Sequence, residues 1–141
     1  MSPIPEQTRT ELINKALEML SHSYTPYSHF KVGAALLAKD GSVWTGCNIE
    51  NAGYTPTNCA ERTAFFKAVS EGQREFLAIA VVGGREGPVT EECAPCGVCR
   101  QVMAEFCDLD AFRVILAVDE AHYSTYTLRE ILPMAFVPSR L

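Results

Sequence analysis

Three short apolar runs, residues 32–38, 76–82 and 112–118, are separated by stretches in which apolar residues recur at helical spacing. That alternation commits the chain to a sheet covered by helices. Run 76–82 has no polar residue, a pattern suited to a strand covered on both faces, and Gly83-Gly84 ends it. Lys39-Asp40-Gly41 is turn chemistry and 42–47 holds the β-compatible Val43, Trp44 and Thr45, so the first run becomes one arm of a hairpin. An amphipathic helix over 6–21 carries Leu12, Ile13, Ala16, Leu17, Met19 and Leu20. A second, over 58–71, carries Ala60, Ala64, Phe65, Ala68 and Val69 and stops at Gly72. A third begins at Cys96 and runs to about Phe106, residues 127–132 supply a last helical turn before Pro133, and 23–30 reads as a connecting loop. The order α, β, β, α, β, α, β predicts one α/β sheet with helices on both faces: a hairpin, then crossovers that make the later strands parallel.

At 141 residues the chain suits one domain, 1–141, built on one core. Its formal charge of −5 lacks the positive surplus that a polynucleotide partner requires, so a small molecule is the expected ligand and no nucleic-acid strand is. The N-terminal stretch has neither a basic run nor an apolar core of a leader, and no segment approaches the ~20 apolar residues of a membrane span. No membrane partner and a cytoplasmic location are the expectation. A reducing cytosol then leaves metal ligation or burial, rather than disulfides, to explain the six cysteines.

Cys96-Gly97-Val98-Cys99 is a C-x-x-C pair directly after Pro95 at one predicted helix start, and Cys59 sits at another. A helix N-terminus presents unpaired N–H groups and a positive dipole end, which favours thiolate over thiol, the form that zinc needs. Three sulfur ligands leave one tetrahedral position open, as in a catalytic rather than a structural zinc site, and zinc lowers the pKa of bound water to about 7. A C-x-x-C alone serves equally well as a redox pair or as buried thiols. Glu61, two residues after Cys59, adds an acid–base group for which a structural site has no use. Cys93-Ala94-Pro95-Cys96 is a second C-x-x-C, and Cys93 is a rival ligand that would close the site with four thiols. Pro95 suits a helix entry and leaves Cys93 in the preceding loop, which favours the Cys96 and Cys99 pair. Cys47 and Cys107 read as buried, and His22, His29 and His122 share no ligand spacing. Asn48 and Glu50 are two apart, so in an extended segment both side chains point to one side and can grip one object.

Through Cys59-Ala60-Glu61-Arg62, Pro95-Cys96-Gly97-Val98-Cys99-Arg100-Gln101, Phe30-Lys31-Val32-Gly33-Ala34-Ala35 and Asn48-Ile49-Glu50-Asn51-Ala52, the chain resembles the cytidine deaminase family, specifically its short homotetrameric branch. The likeness runs from about Tyr24 to Phe136. It implies a three-layer α-β-α fold with a central mixed five-stranded sheet, one strand more than the residues themselves indicate. It implies zinc-dependent hydrolysis of cytidine and 2′-deoxycytidine to uridine and 2′-deoxyuridine with release of ammonia, a step of pyrimidine salvage. By the same resemblance Cys59, Cys96 and Cys99 hold one Zn2+ per subunit and Glu61 shuttles the proton between water, ring N3 and the departing amine. Arg62 donates to the ligand sulfurs. Asn48 and Glu50 bind the ribose, Glu50 at its 3′-hydroxyl; Phe30 packs on the pyrimidine, Ala60 belongs to the substrate-contacting set, Tyr54 contacts either the substrate or a neighbouring subunit, and Phe136 reaches across a subunit boundary. A homotetramer with active sites shared between subunits is the expected assembly.

Overall fold

Side chains of β1 (Lys31–Ala38) alternate between two apolar cores, and that division organises the protein. Ala34, Leu36 and Ala38 enter one core; Ala35 and Leu37 enter the other. The computed structural model describes residues 4–141, so Met1-Ser2-Pro3, part of the stretch read for a leader and of the expected domain, lies outside the described residues. β2 (Val43–Cys47), β3 (Phe76–Gly84), β4 (Arg113–Asp119) and β5 (His122–Thr127) complete a five-stranded sheet in the order β2-β1-β3-β4-β5. β1 is antiparallel to both β2 and β3, β3 is parallel to β4, and β4 is antiparallel to β5. Strands β2, β3 and β4 therefore run the same way, as the crossovers require, with β1 inserted against them.

The first helix, α1 (Glu6–Glu18), continues into a 3-10 turn at Met19–His22, and its Leu12, Ile13 and Ala16 close the core on one face. On the other face lie α2 (Ala60–Ser70), α3 (Gly97–Phe106) and the short α4 (Leu128–Ile131). Phe65 of α2 is wholly buried and meets Phe76, the first residue of β3, edge-on at 5.0 Å and Phe112, just before β4, at 6.2 Å, while the helix itself packs on β1 and β2. Gly46 in β2 lets α2 approach closely: a Cβ there would lie 2.3 Å from the Ala60 carbonyl oxygen.

β5 is the strand that the apolar runs did not reveal. Its residues, His-Tyr-Ser-Thr-Tyr-Thr, are exposed or half-buried and pair only with β4, so an edge strand with one wet side leaves no apolar run to read. The last helical turn is present as α4, begun by a capping box in which Thr127 and Glu130 exchange side-chain and main-chain bonds. Among the described residues no helix is long and apolar enough to cross a membrane.

Candidate metal centre and ligand site

α2 and α3 both follow strands that run in one direction, so their N-termini open at the same end of the sheet. Cys59 is the N-cap of α2, and Cys96 is the N-cap of α3, where its sulfur accepts the Cys99 N–H at 3.5 Å. The two caps and Cys99 converge: Cys59 and Cys96 Sγ are 3.8 Å apart, Cys96 and Cys99 Sγ are 3.4 Å apart, and all three sulfurs lie within 4.8 Å of one another. A tetrahedral zinc with bonds of about 2.3 Å sets neighbouring sulfurs roughly 3.8 Å apart, so donor type and spacing both fit that ion.

The charge pattern points the same way. Cys59 is held down to about 5, chiefly by the neighbouring Cys99 thiol and also by Arg62, whose Nη2 donates to its sulfur at 3.2 Å. Cys99 is pushed up by the thiolate beside it and by burial. A cluster that favours one thiolate and resists the next is one that a divalent cation completes. Cys93 stands apart from it. Its sulfur packs by Gly83, where a Cβ would meet it at 3.0 Å, and burial pushes its thiol up to about 11. The four-thiol arrangement left open by spacing is therefore not assembled, whereas a three-thiol cluster able to hold a metal is present.

Glu61, in the first turn of α2, is 4% exposed. Burial pushes its carboxyl up to about 7, and the Cys59 charge adds to that rise. A carboxyl with this value can both give and take a proton near neutrality. Ala60 is wholly buried with its methyl in the core, which leaves main-chain atoms as its means of contact with a ligand.

Asn48, Ile49 and Glu50 run extended beside this end of the sheet, Ile49 exchanging two main-chain bonds with Asn58, each 2.9 Å. Within the chain both flanking side chains bond to the segment leading into β1, Glu50 to its first part and Asn48 to its last. Asn48 Oδ1 accepts from Val32 N–H at 2.9 Å and its Nδ2 donates to the Phe30 carbonyl at 2.8 Å. Glu50 Oε1 accepts from the N–H groups of Tyr27 and Ser28 at 3.0 and 3.1 Å. A cavity of about 390 Å³ opens here, lined by Tyr27, Ser28, Glu50, Asn51, Tyr54 and Thr57. Tyr54 is 77% exposed on its wall at a φ of 58°. Phe136 is not on that wall; it lies on the C-terminal tail, half exposed, with its carbonyl held by Gln101 Nε2 at 2.8 Å.

Four side chains or turns without an assigned role in the sequence organise the site. Tyr27 and Ser28 hold Glu50, Gln101 holds the tail, and Arg100 bridges the Pro95 and Ile131 carbonyls at 2.8 and 2.7 Å. Ser28 had a local signal, a hydroxyl two residues before an N–H in a turn-rich loop, and the Arg100 bond to Pro95 spans five residues; the other contacts span distant parts of the chain and had none.

Residues 6–116 match the family model described as the cytidine and deoxycytidylate deaminase zinc-binding region. The chain is 52% identical over 126 residues to the cytidine deaminase of Sporosarcina psychrophila, covering 89% of each. It is 54% identical over 128 residues to that of Halalkalibacterium halodurans, covering 91% of this chain and 93% of the relative. The crystal structure of cytidine deaminase from Burkholderia pseudomallei superposes with a TM-score of 0.79 at 48% identity, over 89% of this chain and 97% of that one.

Proposed function

The chain belongs to the cytidine and deoxycytidylate deaminase family, and we propose that it hydrolyses cytidine and 2′-deoxycytidine to uridine and 2′-deoxyuridine, releasing ammonia. The observation that carries this reading is Glu61, a buried carboxyl in the first turn of α2 beside three convergent cysteine sulfurs. One zinc ion per subunit, held by Cys59, Cys96 and Cys99, would supply the Lewis acidity that makes water nucleophilic near neutral pH. Glu61 takes the proton that the attacking water gives up and delivers it to ring N3, which draws electron density from C4 as the new C–O bond forms. Glu61 then takes the proton of the new C4 hydroxyl and carries it to the exocyclic nitrogen, so that the C4=O of the product forms as the C–N bond breaks and neutral ammonia leaves. Its shielding from solvent keeps the shuttled proton within the site.

Arg62 offsets the negative charge of the sulfur ligands. Glu50 accepts the ribose 3′-hydroxyl, Asn48 keeps one N–H and one acceptor position for the same sugar, and Phe30 packs on the ring. Ala60 contributes main-chain contacts. Tyr54 and Phe136, both exposed on a single chain, suit a homotetramer whose subunits complete one another's sites. The whole span 1–141 acts as one deaminase domain, with no nucleic-acid strand and no membrane as partner. Six free cysteines suit a reducing cytoplasm.

Ultraviolet monitoring of cytidine loss by zinc-loaded protein tests the reading. Glu61→Gln should keep zinc, measured by metal analysis, while turnover falls by roughly 10²–10⁴. Full activity in zinc-loaded Glu61→Gln would overturn the shuttle; no deamination by the zinc-loaded wild-type chain would overturn the function.

A further inference from the structure

The turn at Tyr27 and Ser28 does more than connect α1 to β1. Glu50 Oε1 accepts from both of its N–H groups, and Glu50 Oε2 accepts from the Ser28 hydroxyl. The same hydroxyl oxygen accepts from Phe30 N–H at 3.0 Å. His29, between them, holds a φ of 57°, the left-handed geometry that folds Phe30 back over Ser28. A hydroxyl has one hydrogen to give; here it goes to Glu50, while a lone pair goes to the backbone of Phe30. Asn48 completes the hold on Phe30 from the other side, at its carbonyl.

We propose that Ser28 is a positioning residue for nucleoside recognition, orienting the Glu50 carboxylate toward one sugar hydroxyl and tying that orientation to the backbone of Phe30. The proposal rests on the reading of Glu50 as the ribose acceptor. A carboxylate offers about four acceptor positions. Three are filled by Tyr27 and Ser28, which leaves one on Oε2. One position accommodates a single hydroxyl and not a diol, so this carboxylate grips the 3′-position and is indifferent to the 2′-position. Without the Ser28 hydroxyl, Oε2 turns to water and its remaining position is no longer aimed.

The experiment compares Ser28→Ala, Ser28→Cys and Ser28→Thr with the wild type, each as the full zinc-loaded chain, on cytidine and on 3′-deoxycytidine. Ser28→Ala should raise KM for cytidine about tenfold with kcat changed by less than about threefold, and Ser28→Thr should restore the wild-type value. On 3′-deoxycytidine, which has no hydroxyl for Glu50 to receive, Ser28→Ala should lose at least about threefold less of kcat/KM than on cytidine, the remaining loss coming through the Phe30 contact. Ser28→Cys keeps the size but not the strong donor, so it should behave as Ser28→Ala and carries the comparison if that variant is poorly folded. An unchanged KM for cytidine, or equal losses on both substrates, would overturn the proposal. Glu50→Ala separates the two levels. If it leaves the preference for cytidine over 3′-deoxycytidine intact, the ribose reading fails. If it abolishes that preference while Ser28→Ala and Ser28→Cys retain it, only the role of Ser28 fails.

Discussion

Arg62 Nη2 donates to Cys59 Sγ at 3.2 Å, three residues along the same helix, so the cation that offsets the sulfur cluster comes from the element that one of those sulfurs caps. Three thiolates around one divalent ion sum to a negative centre, and a guanidinium at a ligand sulfur reduces its excess charge. In Arg62→Ala a chromophoric chelator should strip zinc at least about tenfold faster than from the wild type. Release at the wild-type rate would count against that role.

Gly46 faces the main chain of α2. A Cβ at this position would lie 2.3 Å from Ala60 O and 2.7 Å from Ala64 N, and neither atom can rotate away as a side chain can. Gly46→Ala should cost about 3 kcal/mol, read from chemical denaturation, because the helix must move. That shift displaces Glu61 with it, so turnover should fall in the fraction that remains folded. Unchanged stability would mean that α2 is not held against β2.

Asn48 satisfies two main-chain groups at the mouth of β1, the Val32 N–H and the Phe30 carbonyl. Asn48→Ala should cost about 2 kcal/mol in denaturation and raise KM for cytidine. Asn48→Asp keeps the acceptor for Val32 and loses the donor to Phe30, so it should fall between the two. A wild-type KM in both variants would separate the loop's anchorage from substrate binding.

The hydrogen bonds to Glu50, led by the Ser28 hydroxyl, hold its carboxyl below its ordinary value of 4.5. A depressed pKa stabilises the folded arrangement above the ordinary value and loses that contribution as pH falls through the folded one. The contribution of Glu50 to KM for cytidine should therefore stay constant from neutral pH down to about 5 and weaken only below the usual glutamate range. Comparing the Glu50→Gln and wild-type KM values across that range isolates it; a difference that already narrows between pH 7 and 6 would contradict the assignment.

The cysteine centre was legible because its signals are local. Pro95 followed by Cys96 and Cys99 marks a helix entry, Cys59 precedes an amphipathic run, and the field of a helix end acts within one turn. Strands β1, β3 and β4 were legible because burial on both faces demands apolar runs, broken in β4 only near its ends by Arg113 and Asp119. β5 was not, since an edge strand with one wet side can be built from polar residues; resemblance supplied the fifth strand without locating it.

The sequence alone determined which residues have the chemistry: three thiols at helix starts, a carboxylate beside one of them, and an amide and a carboxylate sharing one side of an extended segment. Tertiary structure decided which of them meet. Cys93 has the same spacing from Cys96 that Cys96 has from Cys99, and only its packing beside Gly83 removes it from the cluster. Asn48 and Glu50 hold the loop at residues 27–32 through bonds spanning 16 to 23 positions, and the Ser28 hydroxyl, locally bonded to Phe30, reaches Glu50 across 22. Local propensity cannot encode such contacts; they arise when the sheet brings the start of β1 beside the end of β2.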